Sequence, residues 1–411
     1  MKLYDELKWR GMIKDSNSPE LAEKRLNNES LKFYIGYDPT GDSLTIGHLV
    51  QIVRTKLLES KGHIPIVLIG GATGLIGDPR EVGERKLLTL EDSLANANKI
   101  KNQISKFFNP KTIFVNNYDW ISKIDMISFL RDYGKEFNIN YMLAKDVVQR
   151  RLDTGISYTE FSYMLIQAID FLNLYENYDC QMQFGGSDQW GNITAGLELI
   201  RKRHPNNQAI GMSSPLLLKS DGSKFGKSEG GAIWLDEQLT SPYELYQYLI
   251  NTPDEDVILY LKTLSLLKPE EIIELEKSVK NNPEERLAQR TLATEVVEFV
   301  HGKDNLKSAI KVTEALFSGE VENLNEKEFK MLAQTLPNYQ PTVESLLIDA
   351  LVETKLASSK REAREFINNG AITLNNEKIT DINYVLNINQ TYHNKYAILK
   401  RGKKKFSIIE F

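Results

Sequence analysis

The chain carries a single cysteine, Cys180, in 411 residues. No internal disulfide is open to it, and the apolar neighbours of Cys180 point to a buried thiol in a reducing compartment. Long hydrophobic runs are missing too. The longest, from Ile64 to Ile76, is short and broken by glycines, so no bilayer-spanning helix is expected. The opening stretch Met1–Arg10 is charged throughout, and the expectation is a soluble, cytoplasmic protein with no secretory signal. Neither internal repeats nor low-complexity tracts occur. No His or carboxylate cluster has the spacing of a dedicated metal site. The glycine loops lack the spaced fingerprint with a downstream acid, which excludes a generic dinucleotide-binding oxidoreductase.

What is present is ordinary globular composition, 41% hydrophobic and 26% charged, in a chain long enough for two or three domains. The net charge of −5 argues against a general nucleic-acid binder. Its distribution is uneven. Residues 343–411 hold 11 Lys and Arg against 8 Asp and Glu, a basic module on an acidic body.

Up to about residue 230, strand-like and helical runs alternate. The strand candidates are Leu31–Gly36, Ile64–Gly71, Lys111–Asn117 and Asp179–Gly186; between them Asp92–Phe107 and Tyr158–Leu174 have helical period. That alternation predicts a Rossmann-like α/β domain whose parallel sheet has its ligand crevice at the carboxyl ends of the strands. Residues 231–325 read as α-helical, including one helix from Glu284 to His301. Residues 326–342 read as a polar linker. Residues 343–411 read as a small α+β module with helices Val343–Thr354 and Ser359–Asn369, a hairpin near 370–379 and a final strand at Phe406–Ile409.

Three stretches suggest chemistry. From Tyr34 to His48 a strand passes through a loop bearing Gly36, Pro39, Gly41 and Gly47 into a helix start. Free N–H groups and the helix dipole there suit an anion, and His48 adds a side-chain donor. The loop Lys224-Phe225-Gly226-Lys227-Ser228 sets two cations around a glycine, suited to clamping a polyphosphate. On the helix Tyr158–Leu174, Tyr163, Gln167 and Asp170 fall at i, i+4 and i+7, three polar groups on one face of an apolar helix. Each pattern alone also fits a capped helix or a solvated surface.

Together they resemble class I aminoacyl-tRNA synthetases. Thr45-Ile46-Gly47-His48 is similar to the HIGH signature and Lys224–Ser228 to the KMSKS signature. Tyr34, the Tyr163–Gln167–Asp170 set and Gln183 to Asn192 narrow the resemblance to the bacterial tyrosyl-tRNA synthetase family. It covers the chain from about Trp9 to the C-terminus, including an S4-like RNA-binding module. One departure stands out: Thr45 occupies the first HIGH position, and a hydroxyl can donate but carries no charge.

The resemblance implies roles. Tyr34 and Asp170 would hold the substrate phenol; Tyr163, Gln167 and Asp78 the ammonium; Gln183 and Gln189 the rest of the tyrosine. Thr40, Thr45 and His48 would face the ATP phosphates from one side, with Lys224, Lys227 and Ser228 on the other. Gly36, Asp38, Gly47, Gly186 and Asp188 would contact the nucleotide. Mg²⁺ would accompany ATP. Lys360, Arg361, Arg364, Lys400, Arg401, Lys403, Lys404 and Lys405 would meet tRNA(Tyr). A homodimer is implied, with the aromatic stretch Trp120–Tyr133 as interface or, equally, as core. The tryptophanyl enzymes are the nearest rival, disfavoured by Tyr34 with Asp170 and by the C-terminal module. An RNA-binding protein on a retired scaffold should have lost His48, Lys224 or Lys227, and all three are present.

Overall fold

The computed structural model describes residues 1–79, 83, 87–228, 231–342, 344–402 and 405–411. They form two compact units, one of Met1–Trp234 with Pro253–Ala288 and the other of Leu235–Thr252 with Gln289–Phe411.

The first unit is built on a parallel sheet of β1 (Lys32–Tyr37), β2 (Ile64–Ile69), β3 (Ile113–Asn116), β4 (Cys180–Gly186) and β5 (Ile210–Ser214), in the order β3-β2-β1-β4-β5. Four of these match the apolar runs read from sequence. β5 was not anticipated: Ile-Gly-Met-Ser-Ser has little strand propensity, and it is held instead by complete burial and by pairing Met182↔Ile210 through Gly186↔Ser214. Because the chain moves outward from β1 to β3 and then returns to the far side at β4, a crevice opens at the carboxyl ends of β1 and β4.

Helices cover the sheet where the apolar period predicts them. The helix Leu90–Ser105 starts at Thr89, whose side chain accepts the Asp92 N–H, and Tyr158–Tyr178 starts at Ser157, which accepts the Glu160 N–H. Such caps are worth about 1 kcal/mol each. The second helix ends where Asp179 turns left-handed at φ 57, and β4 begins at the next residue. Its inner face packs Phe171 against Tyr34, ring centroids 5.5 Å apart. The helices Asp254–Leu264 and Pro269–Asn281 belong to this unit as well. Buried Arg10 holds them there, donating to the carbonyls of Lys262, Ser265 and Leu267 while paired with Glu6. A short antiparallel ribbon of β6 (Lys227–Ser228) and β7 (Gly231–Ala232) completes the unit.

In the second unit the helices Pro242–Ile250, Lys303–Ser318 and Glu326–Thr335 precede a five-stranded sheet. Its strands are β8 (Asn338–Tyr339), β9 (Ile372–Leu374), β10 (Glu377–Lys378), β11 (Tyr396–Arg401) and β12 (Lys405–Glu410), ordered β10-β9-β11-β12-β8. The helix read from Glu284 to His301 is broken: Arg286 is left-handed at φ 49, and the α-helix runs only from Leu287 to His301. The segment read as a linker holds a helix capped by Asn325 and Glu328, and β8, which pairs with β12. The next helix covers Leu347–Glu353 rather than Val343–Thr354. The 370–379 hairpin turns on Asn375 and Asn376, both left-handed, as a tight two-residue turn requires.

Candidate active site

At the floor of the β1–β4 crevice lies Asp170, 1% exposed. Its carboxylate accepts the Asn117 side-chain N–H at 3.0 Å and the Trp120 indole N–H at 2.8 Å. Burial pushes its pKa up to about 7, against those two donors. Tyr34 on β1 is the direct register partner of Gln183 on β4. The Tyr34 hydroxyl and the side-chain oxygens of Gln167 and Gln183 are buried without a hydrogen-bond partner among the described residues. Burial, then the Asp170 charge, holds the Tyr34 phenol well above its ordinary pKa. Unmet polar atoms of this kind cost about 1–3 kcal/mol each, so the pocket is primed for a ligand with complementary groups.

Asp38, just past β1, is fixed by the Thr73 and Tyr163 hydroxyls, both donating at 2.7 Å. The fit leaves no room at Gly70, where a Cβ would fall 2.1 Å from Asp38 Oδ1. Asp78 accepts from Gln189 at 2.7 Å and Asn192 at 3.2 Å, and burial raises its pKa to about 6. Gly36, Thr40, His48, Gln167, Gln183 and Asp188 line the same cleft. Below it, fully buried Arg54 donates to the Gly185 and Phe184 carbonyls and to Ser214 Oγ, fixing the carboxyl ends of β4 and β5. Burial lowers its pKa to about 10.

His48 is oriented by its own loop. The Thr45 N–H donates to Nδ1 at 3.1 Å, which leaves Nε2 carrying the proton. Burial holds the imidazole pKa below its ordinary value, so at neutral pH His48 presents a neutral N–H donor. The Thr45 hydroxyl lies 3.0 Å from the same Nδ1. Thr45 thus meets His48 directly.

The lysine loop meets this stretch edge-on. Ile46 N–H donates to the Ile233 carbonyl at 2.8 Å, Ile233 N–H to the Gly226 carbonyl at 3.0 Å, and Thr45 bridges Trp234. Gly226, at φ +85, lies so close that a Cβ there would sit 2.8 Å from Ile46 Cγ2 and 3.5 Å from the Gly47 nitrogen. Phe225 and Gly226 are buried, whereas Lys224 and Lys227 are exposed. Ser228 pairs with Gly231 in the ribbon. Gly186 ends β4, its Cα facing the Asp188 carboxylate.

Of the basic residues, Lys360, Arg361, Arg364 and Lys405 are exposed, and Lys360 pairs with Asp349 at 2.6 Å. Lys400 lies over the Phe406 ring; Arg401 donates to the Leu356 carbonyl and covers Phe366. Lys403 and Lys404 lie outside the described residues. Sequence reasoning gave no site role of their own to Asn117, Trp120, Thr73, Asn192 and Arg54. An Asn just past the carboxyl end of a parallel strand was the available signal for Asn117.

The family model described as tRNA synthetases class I (W and Y) matches residues 26–318. The chain belongs to this family. A second model, the tyrosine–tRNA ligase SYY-like C-terminal domain, matches residues 328–409. Among class I synthetase relatives, the tyrosine–tRNA ligase of Onion yellows phytoplasma is 52% identical over the whole of both chains. Tyrosine–tRNA ligase 1 of Bacillus cereus is 50% identical, again over the whole of both. The solved structure of a C-terminally truncated Aspergillus nidulans mitochondrial tyrosyl-tRNA synthetase superimposes with TM-score 0.68 at 32% identity, covering 77% of this chain and 94% of that one.

Proposed function

We propose that the chain activates L-tyrosine with ATP, releasing pyrophosphate, and then transfers the tyrosyl group to the 3′-terminal ribose of tRNA(Tyr). The observation that carries this reading is the contact of Gly226 with Ile46 and Gly47, which sets the two lysines beside the loop that aims His48. In the first step the tyrosine carboxylate oxygen would attack the α-phosphorus, and the bond from that phosphorus to the pyrophosphate oxygen would break. In the second, a ribose hydroxyl would attack the tyrosyl carbonyl and AMP would leave. Neither step needs a protein nucleophile; positioning and charge stabilisation suffice.

His48 Nε2–H and Thr40 would donate to phosphate oxygens from the cleft side, with Thr45 orienting His48. Lys224, Lys227 and Ser228 would close from the loop side. The substrate phenol hydroxyl would accept from the Tyr34 hydroxyl and donate to the Asp170 carboxylate, the feature that separates tyrosine from tryptophan. Asp78, Gln167, Tyr163, Gln183 and Gln189 would hold the amino-acid backbone end, and Gly36, Asp38, Gly47, Gly186 and Asp188 the nucleotide. Mg²⁺ would enter with ATP, as it is commonly held by substrate phosphates.

Residues 343–411 would act as the RNA-binding module through Lys360, Arg361, Arg364, Lys400, Arg401 and Lys403–Lys405. Met126, Ile127 and Leu130 are exposed, and we read them as part of a homodimer interface, with dilution-dependent mass as the check. No helix among the described residues is long and apolar enough to cross a membrane, and the cytoplasm is the compartment this reading implies.

The deciding experiment is ATP–pyrophosphate exchange with each of the twenty amino acids. Exchange with tyrosine alone is expected. Exchange driven by tryptophan would select the rival, and none at all would remove the activity.

A further inference from the structure

We propose that the helix Asp254–Leu264 positions the lysine loop for adenylate formation, with Asp256 and Tyr260 as its positioning residues. This rests on the reading that Lys224 and Lys227 act on the ATP phosphates.

The loop is held at two points by one helix face. At the first, Ser220 N–H donates to Asp256 Oδ1 at 3.0 Å, and Ser220 Oγ to Glu255 Oε1 at 2.7 Å. At the second, the Phe225 and Tyr260 rings pack with centroids 4.6 Å apart, and the Tyr260 hydroxyl reaches the Leu218 carbonyl at 3.4 Å. Asp256 and Tyr260 are i, i+4 neighbours, so a single side of the helix presents both. Asp256, Tyr260 and Phe225 are all buried, an uncommon state for an Asp on the first turn of a helix unless it has a partner.

These anchors matter because of where they fall. Phe225 follows Lys224 directly and precedes Lys227 by two residues. On its far side Gly226 is pressed against Ile46. The loop backbone is therefore gripped between the helix and the His48 stretch, and both exposed ammonium groups hang from the gripped segment. A shift of the Phe225 ring moves both cations relative to the cleft. No substrate group needs to touch the helix for this to affect the rate.

Single-turnover adenylate formation tests the idea in the full chain. Tyr260→Ala should slow the step ~10- to 100-fold, the scale of an ångström-sized misplacement, while tyrosine affinity is unchanged. Tyr260→Phe keeps the ring and should recover the rate to within about threefold, which a hydroxyl-dependent structural role would not allow. In a Lys227→Ala background, Tyr260→Ala should cost much less than it does alone, since it acts through that lysine. If Tyr260→Ala unfolds, as seen by melting, Asp256→Ala, which removes the acceptor of the Ser220 N–H, carries the same cycle. A folded anchor variant at the wild-type rate, or fully additive losses in the cycle, would overturn the proposal. A Lys227→Ala variant at the wild-type rate would overturn the loop reading itself, and this inference with it.

Discussion

The cleft and the lysine loop beside the His48 stretch are built on opposite principles. At the Asp170 end the carboxylate and the Tyr34 phenol are buried and prearranged, with two donors on the carboxylate and Phe171 behind the phenol. At the lysine loop Phe225 and Gly226 are buried while the two flanking charges, Lys224 and Lys227, are exposed. The first arrangement suits recognition of shape and hydrogen bonding in a low dielectric, where a wrong ligand would leave costly unmet groups. The second would keep compact cations hydrated until negative charge builds on a substrate, so that their attraction would be felt in the transition state rather than the ground state. One end would select and the other would accelerate.

The largest expected effect breaks the comparison at its catalytic end. Lys227→Ala and His48→Ala should each lower the rate of adenylate formation on the order of 10²- to 10³-fold with tyrosine affinity unchanged, measured by stopped-flow with equilibrium binding. Equal losses in binding and rate would mean that the two ends are not divided in this way. Next, Asp170→Asn should weaken tyrosine binding ~10- to 100-fold in a folded variant, by replacing an acceptor with a group that cannot satisfy both Asn117 and Trp120. Tight binding of tyrosine by that variant would refute the assignment.

A third prediction concerns pH. Asp170 and Asp78 titrate higher in the fold, near 7 and 6, than an unfolded Asp near 3.8. The folded state therefore binds more protons, and the stability these groups lend is present below pH ~4 and lost as pH rises through 6 and 7. Relative to Asp170→Asn, the ligand-free wild type should lose at most about 4 kcal/mol between pH 4 and 8, seen as a growing gap in Tm. A constant gap would show that Asp170 is not a buried, proton-retaining carboxyl. Smallest is Trp120→Phe, which removes one donor from Asp170 and should cost about 1 kcal/mol in tyrosine affinity while moving the window upward. Far from both ends, Lys360→Ala with Arg364→Ala should leave exchange untouched and flatten the salt dependence of tRNA affinity by about one to two units of slope.

Much of this was legible in the residues. Continuous apolar runs disclosed β1 to β4, and the glycine loop with His48 and the paired lysines marked two stretches that the fold brings together at Ile46 and Gly226. What stayed hidden depends on tertiary placement. β5 is a strand because its neighbours bury it, although its glycine and serines argue otherwise. The break at Arg286 lies in one left-handed residue with no glycine to mark it. Asn117 and Trp120 lie some 50 positions from Asp170, and only the sheet brings them to it. Arg54 reads as one more cation on an amphipathic helix until β4 and β5 close over it.

The central claim is that the His48 stretch and the lysine loop serve one triphosphate. A crystal structure with a non-hydrolysable ATP analogue and tyrosine addresses it directly. The account predicts His48 Nε2 and at least one of the Lys224 and Lys227 ammonium groups within hydrogen-bond reach of the same phosphate chain. An analogue held by His48 with both lysines directed away into a separate cavity would contradict it.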